Sequence, residues 1–410
     1  MLNSICKILV ILLFLSIFSL ASKAQTRVET PAFTFMTIRP DAQTTMNSGT
    51  LTGIPSTVPT AFFYNPAQLG NFGNTNSFSF QFFPGGNTWF NNVSIHSNSF
   101  VAGAKLEGLP LSIGIGYMNF GVDYGRQDVR TVEDPTGENG ETFSARDYSN
   151  MLGIGVQLHS PINISMGYSV KKIVSRIYSQ KFSGNAFDLG ILASYNLKME
   201  QIKAGLSLGY SIRNEGKRID GLSLGETFID INEEDIPATI VNQKYSLPRN
   251  HILGYGLTLG FEEIFLNQQR TIFNFSWSAQ TEESRYKYSD SDFLLTNANI
   301  PSLFDNMIIG KSGDDIINSH ALSLDILESI TVSWGEYYGD GFDNRVKNFG
   351  FTLFANPLLS FFFDGNENSF SKFFFSHLDF SYSLSTYSAP GNPVLDNTYI
   401  SGFTISVNGL

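Results

Sequence analysis

The chain has 410 residues, a formal net charge of −11, 15 % charged and 14 % aromatic residues, and 37 Phe, 37 Gly and 17 Tyr. That acidity excludes a nucleic-acid partner, which needs clustered Lys and Arg for phosphate. The charged fraction lies well below the ~25 % usual in soluble domains, and the one cysteine, Cys6, leaves no disulfide to build.

Taken in order, the chain opens on Lys7 followed by an apolar run from Ile8 to Leu20. Ser22 and Ala24 stand three and one positions before Gln25, the pattern of a signal peptide over residues 1–24. The run is shorter than the roughly 20 residues of a spanning helix. Cys6 precedes it, so lipid attachment is not predicted. Residues 25–76 follow, with Pro31, Pro40, Pro55, Pro59 and Pro66 breaking any long ladder. Phe33, Phe35, Phe62, Phe63 and Tyr64 in that segment require something to pack against. It reads as a plug or a periplasmic segment.

Alternation begins at Ser77. Its clearest instance is 202–213, where Ile202, Ala204, Leu206, Leu208, Tyr210 and Ile212 alternate with Lys203, Gly205, Ser207, Gly209, Ser211 and Arg213. Successive strand side chains point to opposite faces, so one face is apolar and the other polar or tiny. A tilted bilayer-crossing strand needs about 9–11 residues of this kind. Fourteen strands are predicted: 77–83, 93–105, 111–121, 148–158, 162–177, 186–197, 202–213, 251–261, 270–281, 319–326, 329–337, 347–355, 374–385 and 399–407. A soluble sandwich also alternates, but its exposed face carries Lys, Glu and Thr. Here that face is Gly and Ser, poor strand chemistry in water and suitable inside a crowded lumen. The predicted fold is all-β: a transmembrane antiparallel barrel over 77–410 with residues 25–76 as a plug in its lumen.

Connection lengths follow the same plan. The short turns 107–110, 160–161, 198–201, 262–269 and 327–328 share one parity, and the long connections 122–147, 214–250 and 282–318 share the other. Short turns on the periplasmic side and long loops outside are the rule for such barrels. Only 356–372 is long on the short-turn side, and its Leu358, Leu359 and Phe361–Phe363 predict a small packed or interfacial element.

Catalytic motifs are weak. Gly-Leu-Ser-Leu-Gly occurs at 205–209 and 221–225, but Ser207 is mid-strand and no helix signal follows Ser223, so the serine elbow of a hydrolase is missing. His96, His159, His251, His320 and His377 lack zinc-site spacing. The acidic clusters of the loops lack the spacing of a calcium loop. A non-enzyme without cofactor or metal is predicted.

The most specific element is Phe62-Phe63-Tyr64-Asn65-Pro66-Ala67-Gln68-Leu69-Gly70. Asn-Pro sets a turn with an extended residue before the proline, and the flanking aromatics anchor it. An aromatic-Asn-Pro-Ala-Gln-Leu element just before the first strand resembles the FadL-type outer-membrane transporters of hydrophobic compounds. Among these it looks most like the PorV/PorQ group associated with type IX secretion. Residues 167–173 (GYSVKKI) and 187–192 (FDLGIL) resemble strands of that group, whereas 37–50 departs from the family stretch at Pro40, Gln43, Thr44 and Asn47. The resemblance implies an N-terminal plug within about fourteen strands in the outer membrane. It gives Phe62, Phe63, Tyr64, Asn65, Pro66 and Leu69 as plug or ligand-binding residues. Gly205, Ser207 and Gly209 are predicted to face the lumen and to leave room for residues 65–69. Two functions follow from it: binding or passage of hydrophobic small molecules, or a non-enzymatic secretion component whose loops 214–250 and 282–318 dock exported proteins. Its partners are then outer-membrane lipid, with either small apolar ligands or secretion proteins.

Overall fold

A computed structural model describes residues 31–75, 77–83, 88–90, 93–128, 140, 142–177, 180–220, 244–265, 268–284, 316–339, 342–363, 377–388 and 398–408. The signal reading over 1–24 lies outside them. The N-terminal segment forms helices α1 (Ala42–Met46) and α2 (Gln68–Gly73), with 3-10 turns at Thr34–Thr37 and Ala61–Phe63. Strands β1 (Ser77–Phe83), β2 (Thr88–Phe90), β3 (Val93–Lys105), β4 (Leu111–Asp128), β5 (Thr142–Leu158), β6 (Asn163–Ile177), β7 (Gln180–Met199) and β8 (Ile202–Glu215) follow. Next come β9 (Ile219–Asp220), β10 (Lys244–Tyr245), β11 (Asn250–Phe265), β12 (Gln268–Ser284), β13 (Ile316–Ile326), β14 (Ile330–Gly339) and β15 (Phe342–Phe354). Helix α3 (Ala355–Phe363), β16 (Leu378–Ser388) and β17 (Thr398–Asn408) complete the order.

All strands but β9 and β10 belong to one antiparallel sheet of 15 strands among the described residues. It closes on itself, because β1 pairs with β17 (Ser77 opposite Asn408) and with β3 (Phe78 opposite Ala102). Three-residue β2 lies on β3 beyond β1, which leaves fourteen strands in the ring. Closure removes every edge and satisfies the backbone internally, the condition for crossing a bilayer with strands.

Which face meets which solvent is settled by burial. Leu152 and Leu206 are each 58 % exposed, and Ile115, Ile154, Met166, Leu208, Leu259 and Phe403 are exposed with them. Ser112, Ser165, Ser169 and Ser211 are fully buried on the other face. Polar inside and apolar outside is the reverse of a soluble sandwich and matches a barrel in lipid.

Every predicted strand is present, and most are longer than the alternation showed. β4 runs on to Asp128, and β7 spans 20 residues from Gln180 to Met199. Beyond the apolar belt the ladder continues with polar side chains on both faces, so the period-2 signal fades while the pairing does not. In the three-residue turn 327–329, Leu327 and Glu328 both have positive φ, the conformation that matches strand twist in a hairpin. The exceptional connection 356–372 holds the apolar helix α3 in its first part, and its residues from 364 on lie outside the described ones.

Candidate functional site

Residues 31–75 pack against the glycine- and serine-bearing face of the sheet. Their anchor is the Asn65-Pro66 turn. Asn65 Oδ1 accepts from Ala67 N at 3.0 Å, and its Nδ2 donates to Thr52 O at 2.9 Å and to Ile191 O of β7 at 3.1 Å. Gln68 braces the same turn: its Nε2 donates to Leu51 O and Ile54 O, and its Oε1 accepts from Ser56 N. The turn reaches the wall because the wall has no side chains there. A Cβ on Gly190 would lie 1.9 Å from Asn65 Oδ1, and one on Gly167 would lie 2.1 Å from the Pro66 carbonyl carbon. Leu69 sits likewise over Gly114 and Gly155, and Gly53 lies against Gly254 of β11.

The far side of the ring is held by polar contacts. Thr50 Oγ1 and Ser278 Oγ are 2.6 Å apart, Ser323 donates to Asn47 at 2.9 Å, and Asn348 donates to Ser48 at 2.7 Å. Asp41 caps α1 by accepting from Thr44 N at 2.9 Å and also accepts from the Thr60 hydroxyl. Buried polar groups must be paired in this way, or each costs roughly 1–3 kcal/mol.

A layer of cations and aromatics adjoins the turn. The Arg213 guanidinium lies 4.3 Å from the Phe63 ring centre and 5.3 Å from that of Tyr64. Arg39 stacks at 3.8 Å on Tyr337 of β14. Phe63 also meets Phe120 edge-on at 5.7 Å. Behind it, fully buried Lys171 and Asp188 form an ion pair at 2.7 Å. Asn214 accepts from Lys171 at 2.7 Å and donates its backbone N–H to Asp188 at 2.8 Å, while Ser169 donates to Asp188 at 3.0 Å. Burial pushes the Tyr64 hydroxyl well above the ordinary tyrosine range, against the opposing pull of Arg39 and Arg213, so Tyr64 stays neutral.

Two cavities remain beside the segment. One of about 530 Å³ is lined by Met46, Leu51, Ile54, Ser278, Ser323 and Asp325 among others. A smaller one of about 160 Å³ lies between Ile54, Pro55, Asn71, Gly205 and Ser207. A further opening lies in the wall. β7 pairs with β8 only from Phe187 onward, with a register break between Phe187 and Leu189. Among the described residues, the stretch of β7 from Gln180 to Ala186 therefore pairs with β6 alone. A cleft of about 980 Å³ opens there. Its outer part is Tyr117, Leu152, Tyr168, Val170 and Phe187, and its inner part includes Phe182, Gly184 and Ile219. A Cβ on Gly184 would lie 3.0 Å from Ile219 and 3.2 Å from Phe33 of the N-terminal segment.

The predicted residues are thus distributed unevenly. Phe62, Phe63, Tyr64, Asn65, Pro66 and Leu69 come together and are all buried. Gly205, Ser207 and Gly209 lie nearest a different part of the N-terminal segment, residues 52–55. Gly209 backs onto Thr52, where a Cβ would meet the Thr52 carbonyl oxygen at 2.0 Å, and Gly205 and Ser207 line the small cavity by Ile54. The turn at Pro66 directs residues 65–69 toward β4–β7, so the glycines facing it are Gly114, Gly155, Gly167 and Gly190. Sequence reading missed Lys171, Asp188, Arg39 and Arg213. A charged residue on the inward face of a strand was the available signal for the last-named and for the ion pair. The second Gly-Leu-Ser-Leu-Gly, and most of 214–250 and 282–318, lie outside the described residues.

A closed antiparallel ring, apolar outside and glycine- and serine-rich inside, defines a membrane-spanning β-barrel of the outer-membrane type. No family model and no curated protein matches the chain. Among solved structures it is similar to the Pseudomonas putida toluene transporter TodX at 10 % identity and a TM-score of 0.40, over 88 % of this chain and 95 % of that one. The TodX deltaS2S3 mutant, a monoaromatic hydrocarbon channel, gives 11 % identity and 0.47 over 90 % and 99 %. CdiB from Acinetobacter baumannii gives 9 % and 0.38 over 81 % of this chain, which spans 60 % of the length of CdiB.

Proposed function

We propose that the protein is an outer-membrane barrel plugged by residues 31–75, and that it takes up hydrophobic small molecules through its wall. The observation that carries this reading is the cleft at the unpaired end of β7. It joins an outward surface of Tyr117, Leu152, Tyr168, Val170 and Phe187 to inward Phe182 and Gly184, beside Ile219. A ligand dissolved in the bilayer meets these apolar and aromatic side chains first, beside a rim that also carries Lys172, Lys181, Glu215, Lys217 and Arg218. The plug supplies Phe33 at the inner end, and the Phe62, Phe63 and Tyr64 cluster lies deeper.

The test is Gly184→Trp, which fills the inner mouth between Ile219 and Phe33. In proteoliposomes loaded with an apolar fluorescent probe on one side, the variant is expected to lose most probe entry while the folded barrel still assembles. Full entry through the blocked cleft would sink the reading.

A further inference from the structure

The outward face of β5–β7 carries a row of cations above the apolar belt. The ladder sets Arg146 opposite Arg176, and Arg176 opposite Lys181. All three are exposed. Directly opposed side chains stand about 5 Å apart, and like charges there destabilise a sheet. Exposed Lys172 adds a fourth cation on the same face of β6, nearer the belt, and Arg126 a fifth, opposite Ser144 of β5. Tyr148 lies among them, its ring centre 5.8 Å from the guanidinium carbons of both Arg146 and Arg176.

Neutralisation from the protein is sparse. Asp123 stands opposite Arg146 but accepts Gly125 N at 2.8 Å, and Asp128 lies at the tip of β4 opposite Thr142. His96 Nε2 is 3.4 Å from an Arg146 nitrogen. Among the described residues, Lys172, Arg176 and Lys181 make no ion pair. In a chain of net charge −11, a cationic row without an ion pair among the described residues runs against the composition. The belt on these strands ends at Leu152, Tyr168 and Val170. With about 3.3 Å of rise per residue and a tilt of about 40°, Lys172 stands ~5 Å and Arg176 ~15 Å above Val170. That is the depth of charged headgroups, at the barrel end with the long connections, which faces outward in such barrels.

We propose that Arg146, Arg176, Lys181 and Lys172 bind a membrane lipid with more than one phosphate, its acyl chains lying on Leu152, Tyr168 and Val170. Arg recognises phosphate bidentately, and a phosphate between two opposed cations removes the repulsion built into the row. The vertical spread from Lys172 to Arg176 requires phosphates at two depths, so a singly phosphorylated lipid fills the site only in part. The acyl-chain surface of Leu152, Tyr168 and Val170 and the cations Lys172 and Lys181 are shared with the wall cleft, whereas Arg146 and Arg176 lie outside its lining.

The experiment uses the full-length protein in nanodiscs of neutral phosphatidylcholine, titrated with diphosphoryl lipid A and read by native mass spectrometry. The variant Arg146→Gln/Arg176→Gln changes no residue that lines the cleft and is expected to weaken lipid A binding about tenfold or more, with apolar-probe binding unchanged. Monophosphoryl lipid A is expected to bind more weakly than diphosphoryl lipid A. Heat-modifiable gel mobility reports that the variant is folded; Lys181→Gln, a smaller change, is expected to give a partial loss in the same assay. Unchanged affinity in these variants overturns the proposal. Displacement of lipid A by millimolar inorganic phosphate overturns it too, because the site then serves a free anion. Failure of this experiment leaves the Gly184→Trp result untouched, and the converse holds.

Discussion

Asn65 Nδ2 donates to the backbone carbonyl of Ile191 at 3.1 Å, across 126 positions of sequence. The same amide holds Thr52 O and accepts Ala67 N, so one side chain closes the Asn-Pro turn and fastens it to β7. Asn65→Ala removes all three bonds. At about 1 kcal/mol per bond the expected cost is roughly 3 kcal/mol of attachment of the N-terminal segment. Limited proteolysis of the N-terminal segment is expected to quicken, and single-channel conductance in planar bilayers to rise. Unaltered conductance with faster proteolysis would show that the segment does not seal the lumen.

The wall glycines set a graded test. Gly190→Ala and Gly167→Ala place a methyl group within about 2 Å of the Asn65-Pro66 turn, where rigid backbone or a bonded side chain is the obstacle. Overpacking of this kind typically costs about 1–3 kcal/mol. Gly205→Ala instead meets Thr258 Oγ1, a side chain able to rotate away, and is expected to be milder. Unfolding midpoints from heat-modifiable mobility should rank Gly205→Ala above the other two. Equal midpoints would count against the tight seating of the turn.

The Lys171–Asp188 pair is expected to behave as a buried unit. Removing one partner strands a charge beside Asn214 and Phe63 and costs about 3–5 kcal/mol. Lys171→Met and Asp188→Leu alone should each destabilise strongly. Lys171→Met/Asp188→Leu should recover much of the loss, since apolar replacement of a whole buried pair is often close to neutral. A double-mutant cycle of unfolding midpoints measures this, and strict additivity would argue that the two groups do not meet.

Thr50 and Ser278 offer a cross-linking check on the packing of the N-terminal segment. Their hydroxyl oxygens are 2.6 Å apart, although the residues lie 228 positions apart in the chain. Beyond residue 24 the chain has no cysteine of its own. Thr50→Cys/Ser278→Cys is expected to form an intramolecular disulfide in isolated membranes, seen as a reductant-sensitive change in gel mobility. Its absence under oxidation would place Thr50 elsewhere.

Much of this architecture was legible because lipid and lumen impose opposite demands on alternate residues. Leu111, Ile113, Ile115 and Tyr117 against Ser112, Gly114, Gly116 and Met118 already state two faces. Strand ends were less legible. The polar upper half of β7, where the wall cleft forms, carries no alternation to read, and the loss of its β8 partner is a pairing fact that a single strand cannot show.

The sequence by itself determined the barrel, the strand count, the parity of the turns and the presence of a proline-rich aromatic segment before the first strand. Each follows from local chemistry: period-2 apolarity, turn residues and the missing N–H of proline. Only the tertiary structure decided which glycines receive the Asn65-Pro66 turn, that Lys171 meets Asp188, and that Arg146, Arg176 and Lys181 stand in one row. Those facts depend on ladder register and on the path of residues 31–75 across the ring. Register couples positions far apart in the chain, and no local pattern in this sequence encodes the sum of those offsets.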